Sequence, residues 1–235
     1  MSNIKQYFTK KNFLFIVIFV VLGFIALQIP VAQLEGSKAK FMVYDAFAPV
    51  VGVFIGSLPG VVAVFLIQFI NFLAHGAIVQ DAGTIIRFLP MLFAVLYFTR
   101  KSKFNLIIPT LAIIAFVINP IGRTVWYFAL FWTIPIIAYF FRDRFLLARA
   151  LGATFTAHAV GGALWIWVFA LPAPVWISLI PVVVLERIFF AFGISVSFVL
   201  VNNILAFLEK KHILNLGFIT DQKYLLGMLR HEQKT

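Results

Sequence analysis

Residues 147–201 read LARALGATFTAHAVGGALWIWVFALPAPVWISLIPVVVLERIFFAFGISVSFVLV, two long apolar segments parted by Pro172-Ala173-Pro174 and carrying His158, Trp165 and the adjacent Glu186 and Arg187. Apolar runs of about 20 residues leave water either as membrane spans or inside a large core. In 235 residues the hydrophobic share is 63% and the charged share 11%, against roughly 45–50% and 25% in soluble domains. A soluble fold of this length cannot bury that much apolar surface. The chain reads as an all-α, polytopic transmembrane helical bundle, one domain over residues 1–211, with a short cytoplasmic tail at 212–235.

The net charge of +11 would suggest nucleic acid for a soluble protein. Here Lys and Arg cluster between apolar runs, as cytoplasmic loops beside an anionic leaflet do, so the charge reports topology. With no Cys, disulfides and thiolate metal sites are excluded. An N-terminal signal peptide competes for KKNFLFIVIFVVLGFIAL, but no small-x-small cleavage site follows and a retained first span is the better reading.

Going outward from the anchor hairpin, Lys5, Lys10 and Lys11 precede the run Phe13–Ile29 and set the amino terminus inside. Pro30 to Tyr44 forms a long external loop with a turn at Glu35, Gly36 and Ser37. Asp45 stands in N-cap position for a segment whose Gly52, Gly56 and Gly60 make a small-xxx-small packing face, and Pro59 places a tight turn at Ser57 to Gly60. Val61–Ala74 carries Gln68 and Asn71 on one face. Ile85–Phe98, with Arg87 near its outer end, stops at the basic group Arg100, Lys101, Lys103; Phe104–Ile118 returns, and Thr124–Phe141 ends at Arg142, Arg144 and Arg149. The final segment from Trp176 to about Leu208 exceeds one span, so it is tilted, broken near Gly193 or continued beyond the bilayer. The alternation favours eight crossings with both termini cytoplasmic. Several segments are shorter than the roughly 17–25 residues of a span, which leaves six open. In the tail, KYLLGMLR suits a short interfacial helix.

Thr154, His158, Gly161 and Trp165 share one helical face, with Gly162 beside them. An intramembrane histidine needs a partner, and glycines open room beside it. The face lines a site for a planar ligand or packs against another helix. Glu186 and Arg187 do not share a helical face, so they need not pair with one another and are free to reach across to different helices. They serve either as structural ions or as ligand groups, Glu186 for a donor and Arg187 for an acceptor. Asn119, Arg123 and Trp126 form a pocket rim or, with Tyr127, interfacial anchors. Gln68 and Asn71 contact ligand or glue helices. HExxH, P-loop, GxSxG and paired-carboxylate patterns are all missing, so no enzyme, ATPase, cofactor or metal role is expected.

RALGATFTAHAVGGALWIWVF, followed by a proline turn and a last helix, resembles the penultimate helix of the substrate-binding S components of energy-coupling factor (ECF) vitamin transporters. VAQLEGSKAKFMVYDAFAPVVGVFIGSLPGVVAVF is similar to their first loop, second helix and tight turn, and NPIGRTVWYFALFWTIP to the helix before the last pair. The resemblance implies six core helices plus an additional hairpin at Gly83 to Ile118. It implies capture of a small vitamin-like metabolite from outside, in the cytoplasmic membrane of a prokaryotic-type cell. The implied partners are a transmembrane coupling subunit and two cytoplasmic ATPases, and the implied pocket holds His158, Trp165, Glu186, Asn119 and Arg123. The alternatives are a membrane scaffold or assembly protein and a stand-alone secondary transporter, the latter without the internal repeats usual for that class.

Overall fold

The structure is a computed structural model that describes residues 10–33, 40–79, 81–211 and 220–230. The predicted turn at Glu35 to Ser37 and the lysine Lys5 lie outside the described residues. The chain runs α1 (Lys10–Gln28), β1 (Pro30–Gln33), β2 (Lys40–Met42), α2 (Val43–Phe47), a 3₁₀ turn (Ala48–Val50) and α3 (Val51–Ile55). Then follow α4 (Ser57–Ala74), α5 (Ala82–Ile86), α6 (Phe88–Thr99), α7 (Phe104–Ile118), α8 (Pro120–Thr124), a 3₁₀ stretch (Trp126–Trp132) and α9 (Thr133–Phe141). The anchor hairpin is α10 (Leu146–Phe169) and α11 (Ala173–Lys210), and a 3₁₀ turn (Gln222–Tyr224) and α12 (Gly227–Arg230) close the described chain.

Helical segments occupy every apolar run of the sequence. Four of them, Ser57–Ala74, Ala82–Thr99, Leu146–Phe169 and Ala173–Lys210, are long and apolar enough to cross a membrane; Asn12–Gln28, Val43–Ile55, Phe104–Ile118 and Trp126–Phe141 are shorter. On α11, Leu185 and Phe192 are 67% and 65% exposed, a surface that suits lipid and not water. α10 is the central helix, packed against α6, α7, α9 and α11. Its Ala150, Gly152, Ala153, Ala157 and Ala159 are buried, because small side chains let neighbouring helices approach closely. Two apolar clusters result. One gathers Phe54, Phe98 and Phe198 with α1 and α4; the other gathers Phe116, Phe128, Trp132 and Trp176.

Several local expectations change. The turn falls at Gly56, whose φ of 100° favours a residue without Cβ, and not at Ser57 to Gly60, which are already helical. Across it α3 and α4 fold together so closely that a Cβ on Gly60 would strike the Gly52 backbone. Asp45 is not the N-cap; it lies inside the first turn of α2 and accepts from the Met42 backbone N–H at 3.1 Å. The segment between α1 and α2 contains an antiparallel β1–β2 ribbon. α11 is unbroken at Gly193 and runs 38 residues, or about 57 Å at 1.5 Å per residue. Over KYLLGMLR the chain forms the end of a 3₁₀ turn and, from Gly227, a short helix; its front half bonds to α11, where Asn202 pairs with Asp221 just before the segment and Asn203 with Tyr224 and Leu226.

The basic turns gather at one end of the bundle. Lys101 bonds Asp143 at 2.7 Å and holds that carboxyl below its ordinary range. Lys223 reaches the carbonyls of Asp143 and Arg144. Buried Arg142 donates to the carbonyls of Tyr97, Phe98 and Arg100, and Arg149 to those of Phe98 and Thr99. Both thereby satisfy carbonyls that the end of α6 leaves open.

Candidate functional site: a charged cavity between α2, α6, α10 and α11

Beside the first apolar cluster, a cavity of about 170 Å³ is lined by Asp45, Thr154, Glu186 and Arg187 among Pro49, Met91, Ala94, Ala157, Phe190 and Ile194. Each polar residue arrives from a different constraint. Asp45 is carried in by the first turn of α2, Thr154 by the small-residue face of α10, and the charged pair by the middle of α11. Although adjacent helical positions need not pair, Glu186 Oε1 accepts directly from Arg187 Nη2. The same guanidinium crosses to α10, donating from Nη1 to Thr154 Oγ1 at 3.2 Å and to its carbonyl at 3.4 Å, and lies 5.0 Å from the Phe190 ring centroid. Charged groups removed from water are tolerated when paired and hydrogen-bonded; Arg187 meets that condition at both Nη atoms, while its buried Nε–H has no partner among the described residues. Asp45 has only a backbone N–H as its hydrogen-bond partner among the described residues.

The structure brings Thr154, Glu186 and Arg187 together and disperses the other expected site residues. His158 is partly buried and turns toward the second cluster, where its Nδ1 accepts from Trp132 Nε1 at 3.0 Å. An indole only donates, so this Nδ1 carries no proton. Trp165 meets Phe169 in a tilted ring contact, centroids 4.6 Å apart, and lies against Gly83 of α5. Asn119 caps α8, accepting from the N–H groups of Ile121 and Gly122. Arg123 and Trp126 are exposed, and Trp126 meets Tyr127 edge-on, the placement of an anchor more than of a pocket wall. Gln68 donates to the Phe88 carbonyl, and Asn71 accepts from Gln28 of α1 at 2.8 Å. Gly162 abuts Trp132, whereas Gly161 has only Pro90 nearby. Among the described residues no group of three or more His, Cys, Asp and Glu side chains is gathered as a metal-ligand cluster.

Sequence reasoning missed Asp45 as a site residue by treating it only as a cap. The available signal was an acid at the head of an apolar segment, where charge is costly. One test isolates the histidine from the cavity. Trp132→Phe deletes the indole donor and shrinks a fully buried side chain, and is expected to lower stability by about 2–4 kcal/mol, the lost hydrogen bond plus the cavity left behind, without altering ligand binding. Thermal unfolding beside a binding assay checks both halves.

The fold and cavity define a helical bundle of membrane-protein character with an internal charged site. No protein-family model, curated protein or solved structure matches the chain.

Proposed function

We propose that the protein is a membrane-embedded capture subunit for a small solute, with its site in the cavity of Asp45, Thr154, Glu186 and Arg187. The observation that carries this reading is the cavity itself: four polar side chains from three helices converge on open space midway along α10 and α11. A purely structural ion pair would be expected to be packed over. As in the S components that the sequence resembles, the chain would take six core helices plus a hairpin, keep both termini cytoplasmic, and rely on a coupling subunit and two ATPases for uptake. Size narrows the cargo. Drug-sized ligands occupy roughly 300–1,000 Å³, whereas about 150 Å³ admits a molecule as small as benzene. The cavity of about 170 Å³ thus suits a compact solute, or one end of a vitamin-like metabolite.

A second reading, a membrane scaffold, is favoured by one set of observations: His158, Asn119, Asn71 and Gln68 all bond protein groups. Ala157→Leu separates the two, because Ala157 lines the cavity and the larger side chain fills it. Mass spectrometry of the purified full-length protein is expected to find a co-purifying small molecule that Ala157→Leu loses. Finding no such molecule in either protein, together with no uptake phenotype for the filled variant, would leave only the scaffold.

A further inference from the structure

Resting on that capture reading, we infer that the solute is a compact monovalent cation, an alkali-metal ion or a small protonated amine, held between Asp45 and Glu186. The first argument is charge. The ionisable groups lining the cavity are two carboxylates and one guanidinium, leaving one negative charge when all are ionised. Arg187 is already engaged through Nη2 by Glu186 Oε1 and through Nη1 by Thr154, and only its buried Nε–H is left without a partner among the described residues. Its charge is matched by Glu186, and the carboxylate left over is Asp45. Water-poor surroundings make an unmatched carboxylate expensive, and a single positive charge restores neutrality.

The second argument is the pattern of used and unused lone pairs. Asp45 Oδ2 accepts from Met42 and Glu186 Oε1 accepts from Arg187. Among the described residues no further donor reaches Asp45 Oδ1 or Glu186 Oε2, so each acid keeps one acceptor oxygen. Thr154 Oγ1 accepts from Arg187 and, having two lone pairs and a proton, retains capacity for a third contact. Those acceptors suit an ammonium or a hard monovalent ion with a few waters. An anionic solute would face the surplus negative charge, and a neutral one would leave Asp45 uncompensated. Divalent ions want more anionic oxygens than this site offers.

The third argument is size: the volume excludes large organic cations but accommodates an amine of about six heavy atoms, by comparison with the cavity of about 150 Å³ that admits benzene.

The test uses the full-length protein in lipid nanodiscs with two probes, ²²Na⁺ and ¹⁴C-methylammonium, in a scintillation proximity assay. One of the two is expected to bind saturably, and which one binds identifies the source of the charge. Asp45→Asn should weaken that binding by at least about tenfold, the loss expected when a hydrogen bond to a charged group is removed. Asp45→Glu should retain it, and Glu186→Gln provides an independent variant should Asp45→Asn not yield folded protein. Saturable binding undiminished by Asp45→Asn and Glu186→Gln overturns the proposal, as does binding of neither probe. If instead a neutral or anionic molecule co-purifies and is lost in Ala157→Leu, the charge assignment fails while capture stands. With no probe bound and no molecule co-purified, both fail.

Discussion

Removing Arg142 and Arg149 together is expected to destabilise the bundle by more than the sum of the single losses. The two guanidiniums share the carbonyls at the end of α6 in an overlapping pattern. Tyr97 O and Arg100 O receive from Arg142 and also from Asn105 Nδ2, the latter at 3.2 Å in each case. Phe98 O receives from both arginines, and Thr99 O from Arg149 alone. Arg142→Met therefore leaves each of its carbonyls a second donor and should cost about 1.5–3 kcal/mol, the range for a charged hydrogen bond. Arg149→Met strands Thr99 O. The double variant strands Phe98 O as well, and a buried carbonyl without a partner carries the full desolvation cost. A coupling of roughly 1 kcal/mol or more is expected. Chemical denaturation of the four proteins in one detergent measures it, and strict additivity would refute the shared-carbonyl account.

Gly152→Leu should be the most damaging single substitution in α10. Even a Cβ at this position would overlap the ring of Tyr97, and Tyr97 cannot yield easily. It is 1% exposed, and its hydroxyl donates to the Pro135 carbonyl at 2.7 Å. Overpacking a tight site costs about 1–3 kcal/mol, and loss of the hydroxyl bond adds about 1 kcal/mol more. Gly161→Ala is the contrast on the same helix. Its Cβ would meet only Pro90 Cγ, at 3.5 Å, so the helical preference for alanine over glycine, about 1 kcal/mol, should make it neutral or stabilising. Size-exclusion profiles after a heating series distinguish the two, and survival of Gly152→Leu equal to that of Gly161→Ala would show that Tyr97 adapts.

This contrast marks how far the candidate site was legible. Periodicity correctly put Thr154, His158, Gly161 and Trp165 on one face of α10, yet that face meets several neighbours. Thr154 meets α11, His158 meets Trp132 and Trp165 meets α5. A helical face spans a wide arc, and residues sharing it part company once separate elements pack on either side. For Glu186 and Arg187 the sequence left pairing open, and the structure both pairs them and sends Arg187 across to Thr154. Adjacent side chains leave a helix about 100° apart, but long chains can curl back when both are drawn into the same cavity.

By itself the sequence determined the helical class, the placement of the apolar segments and the grouping of basic turns. Hydrophobic runs and charge clusters are properties of neighbouring residues and need no partner to be read. Tertiary structure alone decided that Asp45, remote in sequence from Glu186 and Arg187, joins them at one cavity. It also decided that His158 serves an indole instead. Spacing fixes the direction in which a side chain leaves its own helix. What it meets there depends on which helices pack alongside, set here by the small residues of α10 and the close hairpin at Gly56.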